Sequence, residues 1–330
     1  MTRVWPLPEL QYRPLTDNHE ARDVALVHSA AARAAVAERL ASLRVVWSAE
    51  PAGAVESEWS RLAEECVGEV VYSVGGGLAT DAAKYIAARR RLPLVCIPTA
   101  LSVDAFFTWA SGVRRDGCVH YIPTKAPDCV VVDFEVVAAA PPSVRAAGIG
   151  DVLSIATGSW DWRYAHERGA NPEDAPYDVG ADRIAAALLA EAVECAEAAG
   201  AGDEGGLRRL IDCLALEVQL CNLVGHSRPE EGSEHYFAYA AESVLGHGLP
   251  HGDLVGPGIL VMAALQGQDT QSLRRALVAC HTPLDTIPAD VIEQTLRGLP
   301  QYCRAHDLPH GIAHDITDDM VSAAMSALPL

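Results

Sequence analysis

Residues 69–84 read Glu-Val-Val-Tyr-Ser-Val-Gly-Gly-Gly-Leu-Ala-Thr-Asp-Ala-Ala-Lys. A short apolar, β-prone run from Val70 to Val74 ends in three glycines and passes directly into a helix-favouring segment. Gly75, Gly76 and Gly77 let backbone approach a ligand where a Cβ would not fit. The helix that follows aims free N–H groups and the positive end of its dipole at the same spot, which suits a phosphate or pyrophosphate. Asp81 and Lys84 fall on the first turns of that helix. The spacing is not G-x-G-x-x-G, so the dinucleotide fingerprint of that form does not apply.

Working outward, the first 140 or so residues alternate strand and helix signals. Strands are expected at Asp23 to His28, Val45 to Trp47, Leu94 to Ile97 and Cys129 to Asp133. Helices are expected at Ala31 to Leu43 and Glu56 to Cys66. This order implies an α/β domain with a doubly wound, mostly parallel sheet, whose ligands bind at the carboxyl ends of the strands. The glycine turn, Pro98-Thr99 and the segment beyond Asp133 should converge there. From about Ala146 the pattern changes to long apolar-periodic segments, at Ile184 to Ala199, Gly206 to Val224, Gly232 to Leu245 and Leu254 to Gln266. The expected division is therefore a nucleotide-binding α/β domain over 1–142 and an all-helical domain over 143–330.

Composition narrows the function. A formal net charge of −19 argues against nucleic acid and anionic membrane surfaces as partners. No apolar run is long enough to span a bilayer. Nine cysteines without paired spacing fit reduced thiols in a cytoplasmic protein, and the expected partner is a small-molecule substrate. The long apolar helices imply a homo-oligomer. Among 25 basic residues only Lys84 and Lys125 are lysines. A lysine retained against such an arginine bias suggests a compact point charge near a ligand.

In the helical half, Asp151, His235 and His251 stand out as potential ligands to a metal. One carboxylate and two imidazoles, with open positions, suit zinc or ferrous iron in a Lewis-acid role. Spacing alone does not single them out from twelve histidines. His247, four residues before His251, competes.

The motifs in order resemble the metal-dependent, iron-containing type of polyol and alcohol dehydrogenases, especially their glycerol-1-phosphate dehydrogenase branch. A more distant likeness is to dehydroquinate synthase. The residues that carry it are Gly75-Gly76-Gly77 with Asp81 and Lys84; Pro98-Thr99 with Ser102 and Asp104; Lys125-Ala-Pro leading to Val131-Val-Asp133; Ala146 to Asp151; Ser227 to His235; and His251-Gly-Asp-Leu-Val-Gly. They cover roughly residues 65–265.

The resemblance implies a dehydroquinate synthase-like fold, with nucleotide and substrate meeting between the two domains. It implies NAD or NADP and one divalent metal, zinc first and iron or nickel as alternatives. Gly75, Gly76, Gly77, Asp81, Thr99 and Ser102 would bind the cofactor. Asp151, His235 and His251 would hold the metal. Asp104 and Lys125 are the candidate catalytic residues. The implied activity interconverts a hydroxyl and a carbonyl on a small polyol or polyol phosphate. The alternative is a lyase or cyclase acting on a sugar phosphate with catalytic NAD; Asp151, where those synthases keep glutamate, favours the dehydrogenase.

The chain departs from the family pattern in places. Leu78 stands where relatives keep a lysine, and Val103 where the glycerol-1-phosphate branch keeps a histidine. Phe106 and Phe107 follow Asp104, and would make that wall bulkier if they faced the ligand. The strand ending in His28-Ser29 lacks the carboxylate that would pair with the ribose of NAD. Glu50 follows the next strand.

Overall fold

The computed structural model describes residues 6–327; the outer ends of both expected domains, Met1 to Trp5 and Leu328 to Leu330, lie outside the described residues. Eight strands run as β1 (Glu9–Tyr12), β2 (Val24–His28), β3 (Val45–Ala49), β4 (Val70–Gly75), β5 (Leu94–Pro98), β6 (Ala110–Arg115), β7 (Cys118–Pro123) and β8 (Cys129–Val132). Between them lie helices α1 (Ala30–Val36), α2 (Glu56–Glu65) and α3 (Gly77–Arg90). The rest is helical: α4 (Phe134–Ala138), α5 (Pro142–Arg145), α6 (Ile149–Leu153), α7 (Ile155–Glu167), α8 (Val179–Ala201), α9 (Glu204–Val224), α10 (Ser233–Leu245), α11 (His251–Leu265), α12 (Thr270–Ala279), α13 (Ala289–Ala305) and α14 (Asp318–Ala327).

Six strands form one parallel sheet in the order β1-β8-β5-β4-β2-β3. All six residues of β4 are buried, as expected of a central strand covered on both faces. One face, with Val24, Leu26, Val70, Tyr72 and Val74, packs against Val36 and Leu43. The other, with Val27, Val71, Cys96 and Val130, joins the apolar cluster that continues through Ile149, Leu210 and Val255. Chain order reverses between β2 and β4, so the crevice at their carboxyl ends is the switch point where such sheets take ligands.

Three elements differ from expectation. Helix α1 stops at Val36; beyond it the bonding tightens to a three-residue step, with Leu43 N–H donating to the Leu40 carbonyl at 3.0 Å. The N-terminal stretch contributes an edge strand, β1, in register with β8. Residues 110–123 form an antiparallel hairpin apart from the main sheet. Asp116 and Gly117, both at positive φ (53° and 73°), make its two-residue turn, the pairing such turns favour.

In the helical part, α8 and α9 form an antiparallel pair. Gly202 ends α8 in the left-handed region, and Asp203 starts α9 by accepting from Gly206 N–H at 2.9 Å. The crossing is close, since a Cβ on Gly206 would lie 2.4 Å from the Ala198 carbonyl carbon. A similar approach seats α11 on α10, where a Cβ on Gly258 would meet the Glu234 carbonyl oxygen at 2.7 Å. Among the described residues, no helix is long and apolar enough to cross a membrane. All nine cysteines are free.

Candidate metal and nucleotide cleft

A cleft of about 1840 Å³ opens at the carboxyl ends of the strands and runs to the helical part. Gly76 caps α3, and Gly77 opens it. Gly75 sits at φ 144°, a conformation side chains resist, and a Cβ there would press on Ser29 Oγ at 3.1 Å. A Cβ on Gly76 would meet Ser102 Oγ at 3.0 Å, and one on Gly77 would meet Val103 Cγ2 at 3.2 Å. The turn is thus packed against the segment after β5, and Gly76, Gly77, Asp81, Thr99, Ser102 and Asp104 all line the cleft.

The three ligand candidates come together in the helical part. Their donor atoms lie within 4.8 Å of one another, although α6, α10 and α11 supply them separately. Asp151 and His235 are buried, and His251 lines the cleft. Asp151 Oδ2 accepts from the Asp104 N–H at 2.8 Å. Asp151 Oδ1 is buried without a hydrogen-bond partner, yet stands 3.1 Å from His251 Nε2. His235 Nδ1 lies 2.9 Å from Glu234 Oε1, which leaves Nε2 to face a ligand. Burial disfavours the charged imidazolium of His235, but the Glu234 hydrogen bond and the nearby Glu234, Glu231 and Asp151 charges outweigh it and raise its pKa to about 9. An orphaned buried carboxylate oxygen beside two imidazoles fits a divalent metal. His247 is exposed, and its ring nitrogen lies 3.4 Å from the Gly248 carbonyl.

Lys125 is corrected. Its ammonium bonds Asp128 at 2.6 Å and the Leu92 carbonyl at 3.2 Å. Both partners precede strands, so Lys125 lies at the amino ends of β5 and β8, away from the cleft. Lys84 is close to the cleft but wholly buried, and it bonds Asp81 Oδ1 (2.8 Å), Thr108 Oγ1 (2.7 Å) and the Ala110 carbonyl. It ties α3 to the hairpin instead of facing a ligand. Phe106 and Phe107 are core residues, 1% and 2% exposed, while Leu78 and Val103 do line the cleft.

The hairpin brings residues that the sequence reading passed over. Tyr121 Oη lies 3.1 Å from Tyr239 Oη, which donates to Glu231 Oε1 at 2.8 Å; Ser227 Oγ donates to Glu231 Oε2 at 2.7 Å. Arg114 pairs with Glu242 at 3.1 Å. The Asp116-Gly117 turn between alternating runs was the available signal. Glu217 was hidden inside an apolar helix and Glu230 inside a longer motif. Burial, then the Asp151 charge, pushes Asp104 up to about 7. Burial pushes Glu217 and Glu230 up well above the carboxylate range, with Glu230 and Asp104 respectively the next causes.

A parallel sheet with a glycine turn, facing helices that gather a carboxylate and two imidazoles, defines the class as a metal-type dehydrogenase scaffold. Residues 11–141 match the sequence profile of the iron-containing alcohol dehydrogenases. The chain is 31% identical over 257 residues to a glycerol-1-phosphate dehydrogenase [NAD(P)+] of Methanothrix thermoacetophila, covering 76% of this chain and 71% of that one. It is 34% identical over 227 residues to the Aeropyrum pernix enzyme of the same name, a match spanning 68% of this chain and 63% of that one. In three dimensions it is similar to a probable glycerol dehydrogenase from Sinorhizobium meliloti 1021, with TM-score 0.69, 23% identity and coverage of 98% and 97%. The chain belongs to the iron-containing alcohol dehydrogenase family and is an oxidoreductase. Nothing among these relatives favours the lyase alternative.

Proposed function

We propose that the protein is an NAD(P)-dependent, metal-dependent dehydrogenase that interconverts a hydroxyl and a carbonyl on a small polyol or polyol phosphate. The observation that carries this reading is the convergence of Asp151, His235 and His251 within 4.8 Å, beside the cleft that the glycine turn also lines. When bound, a divalent metal supplies Lewis acidity toward the substrate oxygen, and a nicotinamide accepts or donates the hydride.

The chain's own residues do the rest. Asp151, His235 and His251 hold the metal, and Glu234 orients the His235 ring. The Asp104 N–H pins the Asp151 carboxylate, while its side chain faces the substrate space. Gly75, Gly76 and Gly77, with the N-terminus of α3, accept the pyrophosphate; Thr99, Ser102 and Asp81 border it. Glu50 Oε1 accepts from Ala30 N–H at 2.7 Å, so this carboxylate is already engaged at the start of α1. That leaves NAD and NADP both compatible with the site. In this reading residues 1–142 bind nucleotide and residues 143–330 bind metal and substrate.

Nine unpaired thiols fit a cytoplasmic, reducing compartment. The edge strand β3, with Val45 and Val46 exposed, supports assembly into a homo-oligomer, which sedimentation measures.

The test is turnover by protein loaded with zinc or ferrous iron, using dihydroxyacetone phosphate with NADH and with NADPH, followed by a panel of ketones and polyols. The expected result is nicotinamide-dependent turnover that is lost, together with bound metal, in His235→Ala. Absence of turnover across the panel, with metal and cofactor both bound, refutes the reading.

A further inference from the structure

A second acidic group lies beside the Asp151–His235–His251 cluster. Asp104 follows β5, Glu217 is on α9, and Glu230 precedes α10. One carboxylate oxygen from each lies within 4.8 Å of the others. Glu217 is 1% exposed, and both of its oxygens are buried with no hydrogen-bond partner. Glu230 Oε2 is likewise buried and unpartnered. Asp104 and Glu230 line the cleft and Glu217 closes the group from behind. A buried carboxyl oxygen without a partner costs several kcal/mol, and charging that group without a cation costs more. A cation shared with Asp104 satisfies the orphaned oxygens of Glu217 and Glu230 and lets the three groups carry charge.

The size of that partner follows from the oxygens. Those of Glu217 present no surface that a water-sized group can reach. An ammonium group is about as large as water and donates to an oxygen no closer than about 2.7 Å. A magnesium ion bonds oxygen at about 2.1 Å, so its ligand oxygens stand at most about 4.2 Å apart, compatible with three oxygens that all lie within 4.8 Å of one another. Hard oxygen donors with no nitrogen or sulfur among them select magnesium or manganese over zinc.

We propose that Asp104, Glu217 and Glu230 form a second, all-oxygen site for a hard divalent cation, Mg²⁺ or Mn²⁺, next to the mixed nitrogen–oxygen cluster. Asp104 links the two sites, because its N–H holds Asp151 while its carboxylate belongs to the second group. The cation offsets most of the negative charge of that cleft wall and so eases the approach of an anionic group. This last consequence rests on the polyol phosphate reading; the site itself does not.

The experiment uses the full chain, stripped with chelator, loaded with one equivalent of Zn²⁺ and dialysed against Mn²⁺, with both metals measured per chain and Mn²⁺ followed by electron paramagnetic resonance. The wild type should hold one Zn²⁺ and one Mn²⁺. Glu217→Gln should keep Zn²⁺ and weaken Mn²⁺ binding by about tenfold or more. His235→Ala should lose Zn²⁺ and keep Mn²⁺, which separates this site from the one that the proposed activity needs. If Glu217→Gln does not fold, as judged by circular dichroism, Glu230→Gln at the cleft edge carries the same expectation. A single metal per chain at saturating Mn²⁺ overturns the proposal. So does unchanged Mn²⁺ affinity in the folded variant, or saturation of the group by an aminopolyol with no Mn²⁺ bound.

Discussion

Replacing Lys84 with methionine removes a cation from a site with no solvent access. The ammonium bonds Asp81 Oδ1 at 2.8 Å and Thr108 Oγ1 at 2.7 Å, and it also donates to the Ala110 carbonyl. Methionine keeps much of the volume and removes the donor that Asp81 Oδ1 and Thr108 Oγ1 accept from. Removing one partner of a buried ion pair costs about 3–5 kcal/mol. Asp81 retains 18% exposure and still accepts from Gly112 N–H at 3.0 Å, which places the expected loss near the lower end, about 3 kcal/mol. The same change loosens the hairpin wall, since Ser111 Oγ donates to the Asp81 carbonyl at 3.0 Å and Asp81 also holds Gly112. NADH affinity should fall as well. Lys84→Arg should not rescue, because a planar guanidinium overfills a site shaped for a point charge. Urea unfolding followed by circular dichroism gives the stability change, and fluorescence titration gives the nucleotide affinity. A loss under about 1 kcal/mol, or additive effects of Asp81→Asn and Lys84→Met in a double-mutant cycle, would refute the buried-pair argument.

Glu234→Gln should weaken metal binding by about tenfold to a hundredfold while leaving the ligands in place, as read by competition with a chelating dye; equal affinity would remove Glu234 from its orienting role. Gly206→Ala should cost about 1–3 kcal/mol in urea unfolding, because the added methyl meets the Ala198 backbone and not a movable side chain. Glu20 accepts both Arg22 guanidinium bonds (2.9 and 2.7 Å), and chiefly for that reason its pKa is lowered to about 2. A depressed folded pKa stabilises above the unfolded value of about 4.3 and is lost as pH falls through the folded value. Glu20→Gln should therefore flatten the pH dependence of the urea midpoint between those two values, and an unchanged acid limb would contradict it.

Much of the scaffold was legible locally. Val70 to Val74 alternate toward two buried faces and still form one apolar run, which only a central strand explains. The glycines that follow could adopt the turn that Gly75 shows, and the Ala-rich segment behind them could only be a helix. The helical half was readable because its apolar residues recur at helical spacing. The hairpin was harder to see. Its Asp-Gly turn is a local signal, but β6 packs on α3 and β7 on α10, elements distant in sequence.

The sequence by itself determined the parallel sheet, the glycine turn, the helical second half and the motif residues, because each depends on neighbours within a few positions. Tertiary structure decided which chemistry-bearing residues meet. It brought Asp151, His235 and His251 together from three helices and left Lys125 at the amino ends of the strands. It also placed Lys84, expected as a point charge near a ligand, in a buried tie and set Glu217 against Asp104 and Glu230. Those outcomes follow from chain direction and close helix crossings, such as Gly258 on Glu234, which no local pattern specifies.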